Sequence, residues 1–361
     1  MSIYKQSLKL LEKRAIFFFA FFTIFSFFPL ISFGKHEIFP FYSIFAIFTL
    51  WIYFNKRCAI DYFYIFLWLS SLFLLIYFFI SSRSFLNLFQ IFFVSLTLIA
   101  FNCLPLRYKE KFAKYIFNII IFVTIFIIFQ YFYPWLINFT SDHLIARKGV
   151  TFAILNDRVL GIAPEPSVMG SWLIGAWLIV QKRLPSRAFI FSIITVVALF
   201  FVRSLSAFCM FTVFYLILNY RHLKYILMFA IFSLIIFLTK GHFLDRLLDL
   251  FSTFNFGAGL NNLTLIDVKF GSNRLRTLVE PLTEIGCGEL FCSESLRYDD
   301  GYSIFSNLFY KLAPLHLLSI PLIFYYFKKD RFFVVSLICF LAYAPMLNWM
   351  LFSGFVNKKD L

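Results

Sequence analysis

Residues 158–181, RVLGIAPEPSVMGSWLIGAWLIVQ, form a polar turn that runs straight into an apolar wall. The opening RVLGIAPEPS brings together a base, an acid, a glycine and two prolines, whereas Val168 to Val180 are all apolar or small. Pro166 suits the first position of a helix, because the N–H that it lacks would find no partner there, and it pushes Glu165 out of helical geometry. The apolar run is therefore read as a helix starting at Pro166. Lipid offers nothing to an open peptide group, so a Gly/Pro turn ahead of such a helix belongs where water or a polar substrate reaches it.

The same texture extends outward through the chain. Of 361 residues, 61% are hydrophobic and 57 are Phe, with a mean hydropathy of +0.85; a soluble globular domain does not have this composition. A hydrocarbon core of roughly 30 Å is crossed by about 20 residues of helix. Apolar segments of suitable kind lie at 15–33, 38–54, 59–80, 85–104, 112–133, 167–181, 187–202, 205–219, 225–239, 306–326 and 331–352. The expected fold is an all-α polytopic integral membrane protein of about eleven (10–12) transmembrane helices with two long outer-face loops. The residue alternation of a membrane barrel is absent.

The first segment follows a basic amphipathic stretch, Lys5, Lys9, Lys13 and Arg14, is long for a signal core and has no small-x-small cleavage site after it. It reads as a retained anchor. A net charge of +15 would point a soluble protein toward nucleic acid; here the bases gather in short connectors, where they set topology, and no nucleic-acid partner is expected. Placing the N-terminus in the cytoplasm puts Lys56 and Arg57, then Arg107, Lys109, Lys111 and Lys114, then Lys182, Arg183 and Arg187, on the inside. The organisation is then 1–133 as membrane helices one to five, 134–166 as a first outer loop, 167–239 as helices six to nine, 240–305 as a large outer loop and 306–361 as the last helices and tail.

Connections between packed helices are short by default, and long ones tend to carry function. In the second loop, residues 243–254 (FLDRLLDLFSTF) repeat apolar side chains at helical spacing, which suits a helix lying in the membrane interface as an anchor or as the entrance for a lipid-linked substrate. Beyond it come Arg274, Arg276, Glu280, Glu284, Arg297, Asp299 and Asp300. Guanidinium groups suit a diphosphate because they donate paired hydrogen bonds and keep their charge, although Arg276 and Glu280, at i and i+4, can also bridge each other on a helix. Cys287 and Cys292 can form a disulfide in an oxidising compartment, and no companion pair offers them zinc-like spacing. Glu165 is favoured at a helix N-terminus by the dipole and free amides. That setting lowers its pKa and weakens it as a base, so orienting a substrate hydroxyl is as plausible a role. Ser167, Ser171 and Gly175 recur at i, i+4 and i+8 as a packing ridge.

At these residues the chain resembles the O-antigen polymerase (Wzy) family, within the O-antigen polymerase and ligase superfamily. Members show an Arg-x-x-Gly-x-x-x-Glu-Pro-Ser-like turn, matched by Arg158, Gly161, Glu165, Pro166 and Ser167. The resemblance continues through RSLSAF (203–208), GSNRLRT (271–277), PLTEIGCG (281–288) and DDGYSIFSNLFYKLAPL (299–315), and covers about residues 145–325. Many relatives, ligases included, carry a His where this chain has Asp299 and Asp300, and many have Arg where Leu205 stands, leaving Arg203 as the substitute.

The resemblance implies a metal-independent, cofactor-free glycosyltransferase of the bacterial cytoplasmic membrane, with O-antigen ligase or flippase-type transporter as the alternatives. It would move a glycan from polyprenyl diphosphate to a hydroxyl of the next lipid-linked repeat unit at the outer face. Its partners would be that lipid-linked oligosaccharide and membrane lipid, with a flippase and a chain-length regulator alongside. Arg158, Arg274 and Arg276, with Arg147 and Arg203 beside them, are the expected diphosphate ligands, and Glu165, Asp299 or Asp300 the group at the acceptor hydroxyl. A flippase would show charges deep within its spans and repeats between halves, which this sequence does not.

Overall fold

A computed structural model of the chain describes residues 2–24, 31–33, 36–38, 69, 72, 76, 104–137, 159–163 and 166–218. Within these, the elements are α1 (Ser2–Ile24), the strands β1 (Ile31–Phe33) and β2 (His36–Ile38), α2 (Leu106–Phe132), α3 (Pro166–Arg183), a 3-10 turn (Pro185–Arg187), α4 (Ala188–Val202) and α5 (Leu205–Leu218). The described residues up to Phe208 belong to one compact unit, and Cys209–Leu218 to another. Apart from one short hairpin, the described elements are helical.

Prolines mark out α2. Pro105 lies just before it with extended geometry (φ −58°, ψ 151°), and its carbonyl accepts from the N–H groups of Tyr108 and Lys109 at 2.8 and 3.2 Å. At the far end Tyr133 has left the helical region (φ −124°, ψ 80°), as the residue before Pro134 must. One stripe of the helix is buried: Phe112, Ile116, Ile120, Val123, Ile127 and Gln130, at intervals of three and four residues. The opposite stripe is just as apolar yet exposed, with Phe122 at 73% and Phe129 at 52%. A helix that is apolar on both its packed and its open side is a candidate to cross a membrane.

α4 repeats the pattern, with Phe191, Thr195, Ala198 and Val202 buried while Phe189, Ile190 and Ile193 stand exposed. Its hydroxyls bond to their own helix: Ser192 Oγ donates to the Ala188 carbonyl and Thr195 Oγ1 to that of Phe191, both at 2.8 Å. By length and composition, Leu106–Phe132 and Pro185–Val202 are candidates to cross a membrane. α3 differs from both, because Met169 to Val180 are buried without interruption, including Trp172 and Trp177. α2 and α4 pack on it and on each other, and α1 packs on α2. The Trp177 indole N–H donates to Ser192 Oγ at 2.8 Å and ties α3 to α4.

Helix direction follows from these contacts. Tyr108 donates to Glu12 and Phe112 meets Phe19 (5.2 Å between centroids), so α1 and α2 run the same way. Phe117–Phe191 and Tyr131–Phe201, at 5.2 and 5.0 Å, make α2 and α4 parallel as well. α3 runs against α4, since Trp177 meets Ser192 and Gly170 meets Leu199.

The first expected span needs correction. Instead of one apolar helix over 15–33, α1 takes in the basic stretch from Ser2 and reaches Ile24, and Ile31–Phe33 is a strand paired with His36–Ile38. A single stripe explains the start: Glu12, Ala15, Ile16, Phe19, Ala20 and Thr23 are all buried, so the amphipathic and apolar parts share one packing face. Two residues separate the strands in sequence, a spacing that suits a hairpin. The pairing is antiparallel, Ile31 with Ile38 and Phe33 with His36. Strand β2 therefore occupies 36–38, between the expected spans 15–33 and 38–54 and into the first residue of the second.

Other expected helices coincide closely with observed ones. The segments 167–181, 187–202 and 205–219 match α3, α4 and α5 to within a residue or two at the ends, whereas α2 ends with the expected 112–133 but starts earlier, at Leu106, and takes in Arg107, Lys109 and Lys111 from the expected inside connector. The spans at 225–239, 306–326 and 331–352, and the interfacial stretch 243–254, lie outside the described residues.

Candidate functional site

Helix α2 ends in Gln130, Tyr131 and Phe132, and two of these side chains each hold a different segment. Gln130 is fully buried. A carboxamide carries a donor and an acceptor side by side, which matches the N–H and C=O of a single residue. Gln130 makes that match: its Nε2 donates to the Gly161 carbonyl at 2.9 Å, and its Oε1 accepts from the Gly161 N–H at 2.8 Å. Val159, Leu160, Ile162 and Ala163 are all buried around this turn, so water does not serve these groups. Leaving a buried peptide group without a partner costs about 1–3 kcal/mol.

Gly161 is required twice over. Its φ is +65°, in the left-handed region. A Cβ there would also fall 2.8 Å from Met169 Sδ and 3.1 Å from Ile127 Cγ1. Leu160 on the same turn packs with Ile137, which joins it to the end of the segment after α2.

Tyr131, about 100° further round the helix, turns to the junction of α4 and α5. Its ring meets Phe201 edge-on at 5.0 Å. The Arg203 guanidinium lies 5.4 Å from the ring centre, with Nη2 3.5 Å from the phenolic oxygen. Arg203 closes α4 in a left-handed cap (φ 53°, ψ 39°), its N–H bonded to the Leu199 carbonyl at 3.0 Å. Among the described residues it is the one non-glycine with positive φ. Holding a side chain there costs of order 1–3 kcal/mol, and such strain gathers at functional positions.

A third contact closes the group. Gly170 stands one turn into α3, and a Cβ on it would lie 2.4 Å from Ala207 Cβ and 3.4 Å from Ser204 Cβ. The start of α3 is therefore pressed against the Arg203–Ala207 turn. The expected ridge of Ser167, Ser171 and Gly175 missed this residue, although Ser171 is buried as a packing position would be.

Arg203 is the expected site residue that the structure describes. Arg147, Arg158, Glu165, Arg274, Arg276, Asp299, Asp300 and the cysteines Cys287 and Cys292 lie outside the described residues. Gln130 and Tyr131 went unread in the sequence, where the one available signal was a Gln and a Tyr closing an apolar span. The buried charges among the described residues, Glu12, Lys109 and Arg183, lie toward the other end of α2. No three His, Cys, Asp or Glu side chains come together there as metal donors among the described residues.

The fold and this cluster fit a helical membrane protein with a polar site at one end of its packed helices. No family model, characterised protein or solved structure matches the chain.

Proposed function

We propose that the chain is a polysaccharide polymerase of the bacterial cytoplasmic membrane, with its N-terminus in the cytoplasm. It moves a glycan from polyprenyl diphosphate to a hydroxyl of another lipid-linked repeat unit at the outer face. The observation that supports this reading most is the meeting of two distant motif segments: the glycine of RVLGIAPEPS and the arginine of RSLSAF engage adjacent residues of α2, Gln130 and Tyr131.

The chemistry sets the requirements. The bond from the anomeric carbon to the diphosphate breaks with its electron pair leaving on oxygen, a bond forms to the acceptor hydroxyl, and the hydroxyl proton passes to a carboxylate or to water. Cations near the departing diphosphate stabilise the charge that develops. Arg158 leads this group, joined by Arg203, Arg147, Arg274 and Arg276, and these guanidiniums make a metal unnecessary. Glu165, or Asp299 or Asp300, orients the acceptor.

The test is complementation of a polymerase-null host, scored by polysaccharide chain length at equal protein level. The wild-type chain restores a ladder of repeat units, whereas Arg158→Ala and Glu165→Gln leave single units. Wild-type ladders from both variants overturn the assignment of residues. No ladder from the parent chain, in a host supplying its own repeat unit, overturns the function.

A further inference from the structure

We propose that Gln130 is a positioning residue which, with Tyr131 beside it, fixes the spacing between the Gly161 turn and Arg203; in its catalytic consequence this rests on the polymerase reading. Two features set Gln130 apart from an ordinary buried amide. It satisfies both polar groups of one backbone residue, at 2.9 and 2.8 Å, in a turn whose neighbouring side chains are all buried. Its sequence neighbour contacts the one strained non-glycine among the described residues.

Both bonds of the clamp are needed to hold the turn. The Gly161 N–H and C=O belong to successive peptide groups, so the planar carboxamide holds both at once, whereas a single bond would leave one of the two buried peptide groups without this partner. A helix is the stiffest mount the chain has, and adjacent residues on it cannot change their separation. The Gly161 turn and Arg203 are therefore referred to one rigid body, and motion of either against the other requires α2 to bend, the clamp to open or the Tyr131–Arg203 contact to part. The motif arginine stands three residues before Gly161 and the motif glutamate four after it, so a shift of this turn displaces the proposed reacting groups. A misplacement of about 1 Å can cost about 10²-fold in rate.

The experiment uses the full chain, purified in detergent and reconstituted in liposomes with a lipid-linked repeat unit. Gln130→Met keeps the volume and removes both bonds; Gln130→Glu keeps the acceptor for the Gly161 N–H and can donate to the Gly161 carbonyl only as the protonated acid. Ser192→Ala is the control, since it removes a buried hydrogen bond of α3 to α4 away from the proposed site. Turnover per folded molecule is expected to fall about 10-fold or more in Gln130→Met, chiefly in kcat rather than KM, and less in Gln130→Glu. Ser192→Ala should lose stability but keep its turnover. Deuterium exchange of the 159–163 turn should rise in Gln130→Met and stay at the wild-type level in Ser192→Ala. Gln130→Met that exchanges and turns over like wild type per folded molecule overturns the proposal. If the wild-type chain itself does not turn over, the polymerase reading fails, and exchange alone decides the clamp: a rise supports it and no change overturns it.

Discussion

At the scale of single residues, conformational necessity and chemical role separate cleanly at Gly161 and Arg203. Gly161→Ala meets both a left-handed φ and a Cβ placed 2.8 Å from Met169 Sδ. The expected loss is about 2 kcal/mol, from the left-handed strain and the overpacking together, read as a lower melting temperature in detergent. At Arg203 the backbone alone favours glycine, since φ is 53°. Arg203→Gly should therefore be more stable than Arg203→Ala by about 1 kcal/mol, while both lose the guanidinium and polymerise equally poorly. Equal stability would mean that the cap relaxes. Unequal polymerisation would mean that strain, and not charge, is what Arg203 contributes.

At the scale of elements, the decisive contact is Gly170 against Ala207. Gly170→Ala puts two Cβ atoms 2.4 Å apart, so α3 must move off the Arg203–Ala207 turn, at a cost of about 1–3 kcal/mol. Adding Ala207→Gly should return most of that stability, although glycine inside a helix costs about 1 kcal/mol by itself. A double variant no more stable than Gly170→Ala would show that the clash is relieved elsewhere. Between α3 and α4, Ser192→Ala removes the hydrogen bond that Trp177 donates, for an expected loss of about 1 kcal/mol by thermal unfolding.

Much of this level was legible in the sequence, and the reasons are local. Pro166 opens α3 where a proline at the first helical position should, and α2 is bounded by Pro105 and Pro134. Long-range pairings left no local trace. Nothing around Gln130 announces a partner at Gly161, and the place where α3 comes closest depends on Ala207, on a different helix. The hairpin at 31–38 was hidden because Ile, Phe and Ser suit a strand as well as a membrane helix.

At the scale of the molecule, α2 and α4 expose apolar faces, as helices that are candidates to cross a membrane do. Phe122 on α2 and Phe189 on α4 are 73% and 69% exposed. Arginine at Phe122, near mid-span, should cost about 2.5–3.5 kcal/mol of insertion energy and lower the membrane-inserted fraction in a glycosylation-reporter assay. A soluble arrangement would instead gain from the charge. α1 and α2 run the same way; the segments expected between them, at 38–54, 59–80 and 85–104, lie almost wholly outside the described residues.

The most direct measurement joins these scales. The purified chain is placed in liposomes with a single kind of polyprenyl-diphosphate-linked repeat unit, and the lipid-linked products are separated by size. The predicted result is a ladder of repeat-unit multiples from the wild-type chain, reduced about 10-fold or more by Gln130→Met and absent with Arg158→Ala. A wild-type chain that leaves its own repeat unit unlengthened would contradict it.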